Sequence, residues 1–239
     1  MKTFKTRGIV LREAGVGESD KILTLLLKGH GKLGASARGA RKSASRFMAA
    51  AQLFTYSDLV ITQGSKFYAL AQADVLENFY GLSESYERLA TASRLAKLCD
   101  RVIMEHEPCD DILLLLLYGL RALCRGRPPE IVTAAFGLKF LEFNGLTPAC
   151  TFCAVCGERL CAAAAGKLGA YPAGLGGLCC AGCAAENGQT RFRLGEGARR
   201  AAEYVLSSDN GKVFSFEADP HVSQSLINYT DALIAELLR

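Results

Sequence analysis

The stretch Phe54 to Leu70, FTYSDLVITQGSKFYAL, decides how the first half of this chain is built. Phe54 to Thr62 is rich in aromatic and β-branched residues, Gln63-Gly64-Ser65-Lys66 supplies a glycine turn, and Phe67-Tyr68-Ala69-Leu70 resumes the extended pattern. That sequence of signals specifies a β-hairpin. Toward the N-terminus, Thr6-Arg7-Gly8-Ile9-Val10-Leu11-Arg12 has strand composition, and Lys21 to Lys28, KILTLLLK, reads as another strand after Glu18-Ser19-Asp20. Gly29, Gly31 and Gly34 read as punctuation of a turn. About five strands in roughly eighty residues leave little room for crossover helices, so residues 1–80 are expected to form a small antiparallel barrel.

Beyond residue 80 the period becomes helical. From Ser85 to Met104, Leu89, Ala92, Leu95, Ala96, Cys99, Val102 and Ile103 recur mostly at intervals of three and four. Pro108 breaks that helix, and Asp110 and Asp111 favour a new N-terminus ahead of Ile112 to Cys124. This second helix is apolar nearly all round, which predicts a central, buried position. Pro128-Pro129 precede a third, Glu130 to Phe143, which ends at Asn144-Gly145 as C-cap chemistry requires. Glu196 to Leu206 and His221 to Leu238 read as further helices. The chain is therefore α+β: a barrel over 1–80, then a helical domain over 81–239 with an insertion at about 148–190.

The insertion is defined by two cysteine pairs, Cys153-Ala154-Val155-Cys156-Gly157 and Gly176-Gly177-Leu178-Cys179-Cys180-Ala181-Gly182-Cys183. A C-x-x-C turn aims two thiolates at one ion, and two such turns supply the four soft ligands of a tetrahedral structural zinc. Seven thiols compete for four places, since Cys150, Cys161 and Cys179 lie close by. Cys153, Cys156, Cys180 and Cys183 are chosen as Zn2+ ligands, because the glycine after Cys156 and the Gly-Gly before Cys179 suit a pair of knuckles. A closed four-thiolate site leaves no position for substrate, so zinc here is scaffolding. Cys99, Cys109 and Cys124 lie in or beside apolar helices and read as core thiols.

Half of the 239 residues are hydrophobic, enough for a substantial core. The longest apolar run, Ile112 to Leu120, is cut short by Arg121, whereas a membrane span needs ~20 residues. Met1-Lys2-Thr3-Phe4-Lys5 leads into no apolar signal core, so the expected location is cytoplasmic, with reduced thiols. The net charge of +4 is unevenly placed: residues 1–80 carry 12 Lys/Arg against 6 Asp/Glu, and the remainder 16 against 18. A basic leading domain suggests a polyanion partner.

Catalytic patterns are thin. Gly29-His30-Gly31-Lys32-Leu33-Gly34 matches GxGxxG, but Ala35 to Arg46 has no apolar stripe to make the helix that a dinucleotide site needs. The three histidines belong to no H-E-x-x-H, and no G-x-S-x-G occurs. His106 is expected at a helix end in solvent. Asp110 and Asp111 are adjacent, so on a helix their side chains diverge by about 100° rather than forming an acid/base pair. No enzymatic turnover is expected.

One surface segment stands out: Arg38-Gly39-Ala40-Arg41-Lys42-Ser43-Ala44-Ser45-Arg46. Glycine allows close approach to phosphate, Ser43 and Ser45 can donate to its oxygens, and arginine offers two-pronged contacts. Small barrels present such loops to single-stranded nucleic acid. Arg38, Arg41, Lys42 and Arg46, with Lys66 in the hairpin turn, are the predicted phosphate contacts. Phe47, Phe54, Tyr56, Phe67 and Tyr68 are candidate stacking rings.

In order along the chain, Gly8-Ile9-Val10-Leu11, Glu18-Ser19-Asp20, Ala37-Arg38-Gly39-Ala40-Arg41-Lys42-Ser43, Asn144-Gly145-Leu146-Thr147-Pro148 before C-x-x-C-G, and Gly-Gly-x-x-C-x-x-C resemble the bacterial RecO recombination-mediator family. The resemblance spans nearly the whole chain. It implies an N-terminal OB-fold, a helical C-terminal domain and a zinc-binding insertion that some members lack. It also implies a nucleoid-associated protein that binds single- and double-stranded DNA, anneals complementary strands and acts with RecR. Its role there is to help RecA displace single-stranded DNA-binding protein (SSB), whose acidic C-terminal tail is a docking partner. Cys150, Cys179 and the alanine-rich bridge between the knuckles depart from the family pattern. Two rival readings follow from the residues alone: a zinc-stabilised protein-interaction adaptor without direct DNA binding, and a thiol redox enzyme.

Overall fold

The computed structural model describes residues 2–64, 67–148, 150–160, 169–172, 177–186 and 190–238. They form two compact units, residues 1–124 and 125–239. The first is built on five strands, β1 (Lys2–Val16), β2 (Asp20–Leu27), β3 (Gly31–Ala37), β4 (Tyr56–Gln63) and β5 (Tyr68–Glu77), closed in the order β1-β2-β3-β5-β4. β1 is long enough to serve two neighbours. Its first half pairs with β4, from Lys2↔Gln63 to Ile9↔Tyr56, and its second half with β2, from Gly8↔Leu27 to Val16↔Asp20. A register shift between Val10 and Arg12 bends the strand between the two jobs. The barrel closes through a short parallel contact, Ala35↔Tyr68 and Ser36↔Ala69, between β3 and β5.

The interior follows from period-two alternation. Leu23, Leu25 and Leu27 of β2 meet Leu33, Ala35 and Ala37 of β3, Leu59 and Ile61 of β4 and Leu70 of β5. Burying one such leucine contributes about 1.5–3 kcal/mol. β3 is the strand that composition concealed. Gly31 to Ala37, GKLGASA, reads as a turn by its glycines, yet every second residue is buried. The neighbours on both sides supply the pairing that weak β-propensity would not.

The same unit carries α1 (Tyr86–Val102) and α2 (Asp110–Cys124), which pack on β1 and β2 respectively. The Ser85 side chain caps α1 by accepting the Glu87 N–H. α1 stops at Val102, short of the expected Met104, which is exposed.

In the second unit, α3 (Pro129–Phe143) is buried at every residue from Ile131 to Leu141, and packs against α5 (Glu196–Ser207) and α6 (Pro220–Leu237). Gly137 is required there, because a Cβ would stand 2.9 Å from the Thr230 side chain. The fully buried helix is thus α3, not α2, which leaves Leu114 and Tyr118 exposed. Hydrophobicity all round was a feature of both sequences, and packing chose between them. A short helix α4 (Ala181–Glu186) and a two-stranded sheet of β6 (Gly169–Pro172) and β7 (Thr190–Leu194) complete the described elements. Among the described residues, no helix is long and apolar enough to cross a membrane.

Candidate nucleic-acid interface and metal centre

The cationic segment occupies the start of the loop from residue 38 to 55 that joins β3 to β4, and its base is fastened to the β1–β2 turn. The Gly39 N–H donates to the Asp20 carboxylate at 2.8 Å, and the Ser19 hydroxyl donates to the same oxygen at 2.9 Å. The Arg41 N–H reaches the Ser19 carbonyl at 2.9 Å, and the Arg41 guanidinium reaches the Gly17 carbonyl at 2.7 Å. Gly39 sits at φ +70, where the chain reverses with least strain when no Cβ is present. The hydrogen bond from Gly39 and then that from Ser19 hold the Asp20 carboxyl below the usual carboxylate range, assisted by the charges of Arg38 and Lys42. Further along, Ala40, Phe47 and Ala51 drop into the barrel core and pin the loop from beneath. The loop is therefore a shaped element. Sequence reasoning marked Glu18-Ser19-Asp20 as a motif but not as its clamp; an anchoring carboxylate beside a turn was the available signal.

Arg38, Lys42 and Arg46 come together, with Ser45, Phe47, Ala69 and Leu70, around one cleft of about 500 Å3. All three cations are exposed. The Arg46 guanidinium lies 4.7 Å from the Phe47 ring centroid, which orders it without an acidic partner. Arg41 is exposed too, but commits its guanidinium to Gly17 outside this cleft. Lys66 lies outside the described residues. Of the candidate stacking rings, Phe47 and Phe54 are buried, Tyr56 and Tyr68 are half-buried, and Phe67 is 78% exposed.

In the second unit, the sulfurs of Cys153, Cys156, Cys180 and Cys183 all lie within 4.8 Å of one another. A tetrahedral zinc with Zn–S bonds of ~2.3 Å places its sulfurs ~3.8 Å apart, and Cys156 and Cys180 stand at 3.9 Å. The donor set and its spacing are compatible with zinc. Each thiol pair comes from a local turn. Gly157 at φ +72 donates its N–H to the Cys153 carbonyl, and Cys180 precedes α4, whose first turn carries Cys183. The Ala154 N–H to the Leu178 carbonyl, at 2.8 Å, stitches the two turns together. Thr151 donates to Glu203 of α5, which also receives Arg199, so the first knuckle is tied to the helices.

Burial opposes ionisation of the Cys153 thiol, but N–H groups of Cys156, Cys180 and Val155 converge on its sulfur and bring it down to about 6. Hydrogen bonds with the Cys180 and Cys156 sulfurs push Cys183 up. Ligation by a cation needs the thiolate form of the cysteines and would displace their protons. Burial pushes Cys150 up to about 12 and Cys179 up to about 11, and neither belongs to the group of four. Cys150 instead bonds Tyr229 of α6. Cys161 lies outside the described residues.

Comparison with known proteins gives the architecture its relatives. Residues 1–79 match the model for the recombination protein O N terminal domain, and residues 83–239 that for the recombination protein O C terminal domain. The DNA repair protein RecO of Acetivibrio thermocellus is 32% identical over 240 residues, covering all of this chain and 93% of its own length. That of Heliobacterium modesticaldum is 32% identical over 242 residues, covering all of this chain and 85% of its own. That of Pelotomaculum thermopropionicum reaches 38% over 185 residues, covering 77% of this chain and 70% of its own. The chain belongs to the recombination protein O family, a family of DNA repair and recombination proteins.

Proposed function

We propose that this chain is a non-catalytic mediator of recombinational DNA repair that binds single- and double-stranded DNA through its barrel. The observation that carries the reading is the convergence of Arg38, Lys42 and Arg46 on one cleft, on a loop clamped by Asp20 and Ser19. Closed five-strand order with a parallel β3–β5 contact supports an OB-fold, in which loops of this kind track a sugar–phosphate backbone. Neutralising phosphates releases counterions and gives affinity that falls steeply with salt. Two complementary strands screened on one protein repel each other less, which favours annealing. Arg41 holds the loop against the β1–β2 turn, and Lys66 contributes further positive charge.

In this reading the chain acts with RecR to help RecA replace SSB, and the second unit receives the acidic SSB tail. Zn2+ at Cys153, Cys156, Cys180 and Cys183 is structural, fixing an Ala/Gly-rich insertion that could hardly order itself. The test is an oligonucleotide titration of the full, metallated chain at two salt concentrations. Tight binding in dilute buffer that weakens steeply on adding salt supports the proposal. No binding even in dilute buffer refutes it.

A further inference from the structure

Four aromatic rings from four separate places in the sequence meet at one end of the barrel. The Phe4 ring of β1 lies 4.3 Å from His30 in the β2–β3 turn and 6.4 Å from Tyr68 at the start of β5, and Tyr68 lies 5.6 Å from His106, beyond α1. Interplanar angles of 35°, 80° and 49° let the rings brace one another by tilted and edge contacts rather than by a sealed stack. Tyr68 is followed directly by Ala69 and Leu70, which line the cationic cleft. His30 precedes β3 and Arg38 follows it, so rings and cations stand toward opposite ends of that strand, with Tyr68 paired beside Ala35 between them.

Phe4 and Tyr68 also pack against the barrel core, and closing the barrel end would by itself explain those two. It does not explain the polar rings outside them. His106 is exposed and adopts φ +63, a region that L residues avoid. The fold holds it there. Its N–H bonds the Lys32 carbonyl at 3.0 Å, and Glu105 bridges Lys32 in parallel. Gly31, at φ +66, has no Cβ to strike the Glu107 carbonyl. A glycine at 106 would adopt this φ without strain, and what histidine adds there is a ring against Tyr68. Glu105 and Glu107 are exposed on either side of it, a setting that repels phosphate and admits neutral base faces.

We infer that this row of rings is a base-stacking platform for single-stranded DNA. Resting on the nucleic-acid reading above, it assigns the phosphates to the cleft of Arg38, Lys42 and Arg46, and the bases that follow to Tyr68 and His106, braced by Phe4 and His30. Stacking suits any base, since every base has a π-face, and a duplex hides those faces. The platform therefore favours single over double strands without reading sequence.

The test compares oligothymidylate with an abasic oligomer of equal length, by fluorescence anisotropy on the full chain at one salt concentration. Wild type should bind oligothymidylate at least tenfold more tightly, about the size of one base–aromatic contact. His106→Gly removes the ring and the backbone strain together, so Tm should not fall. Its affinity for oligothymidylate should drop about tenfold while its affinity for the abasic oligomer stays unchanged. Phe4→Leu combined with His30→Ala should act in the same direction. Equal wild-type affinity for the two oligomers, or an equal response of both to His106→Gly, overturns the platform while leaving backbone binding intact. Wild type that binds neither oligomer overturns the DNA reading itself, and the platform with it.

Discussion

Replacing Arg38, Lys42 and Arg46 together with alanine removes the three cations that line the barrel cleft, and its effect can be worked out in advance. Each phosphate neutralised on a single strand contributes about −0.7 to the slope of log affinity against log salt. Three lost contacts flatten that slope by about 2. Across a fourfold rise from about 50 to 200 mM salt, wild type then loses about twentyfold more affinity than the variant. The three side chains are exposed, so the fold should be untouched and the melting curve unchanged. Arg41→Ala is the control within the same loop. Its guanidinium is turned to the Gly17 carbonyl, so it should weaken binding through loop shape while leaving the slope nearly that of wild type. Anisotropy titrations at four salt concentrations measure both quantities. An unchanged slope in the triple variant, or a slope change in Arg41→Ala as large as in the triple, would refute the assignment of phosphates to this cleft.

Lys139 is buried in α3, where its ammonium bonds Glu142 at 2.7 Å and the Leu206 carbonyl at 2.9 Å. Glu142→Ala strands that charge and should cost about 3 kcal/mol, whereas Lys139→Met removes charge and keeps volume, costing under about 1 kcal/mol. Urea denaturation of both variants decides, and equal losses would contradict the argument. The folded chain should hold one zinc, lost on Cys→Ser at 153, 156, 180 or 183 but retained in Cys150→Ala and Cys179→Ala. Metal analysis with thiol titration checks this, and metal loss in the last two variants would reassign the ligands. Because the Asp20 carboxyl is held below its ordinary range, its grip on Gly39 is complete above the unfolded carboxylate value of ~3.9 and fades as pH falls through the lower folded value. The Gly39 amide shift, followed from about pH 6 to pH 2, should report that release. Asp20→Asn should abolish the response, and a Gly39 amide that stays still in wild type over the same range would show that the clamp is absent.

Local chemistry made much of this molecule legible. Each C-x-x-C pairs its own two thiols, because one turn is short enough to aim both sulfurs the same way. Pro108, the acids at 110 and 111, and Asn144-Gly145 bounded helices by steric and dipolar rules that act within a few residues. The cationic loop was visible as a run of side chains, and Leu23, Leu25 and Leu27 declared a strand by period alone. β3 was not visible, because Gly31, Gly34 and three small side chains have no intrinsic preference for extension. The edges of β2 and β5 impose it on them.

What lay beyond the sequence was every choice made at long range. The four thiols chosen from the sequence do converge, and among the described residues packing explains why two others stay out: Cys150 is drawn to Tyr229, and Cys179 is buried beside the cluster rather than in it. Which apolar helix lies at the centre was settled likewise, in favour of α3. The clamp of Asp20 on Gly39 and the meeting of Phe4, His30, Tyr68 and His106 exist only once the barrel has closed. Sequence fixes what each residue can do within a turn or two, because propensity and periodicity are local. Contacts between residues 19 to 79 positions apart depend on chain closure and shared burial, which only the tertiary structure resolves.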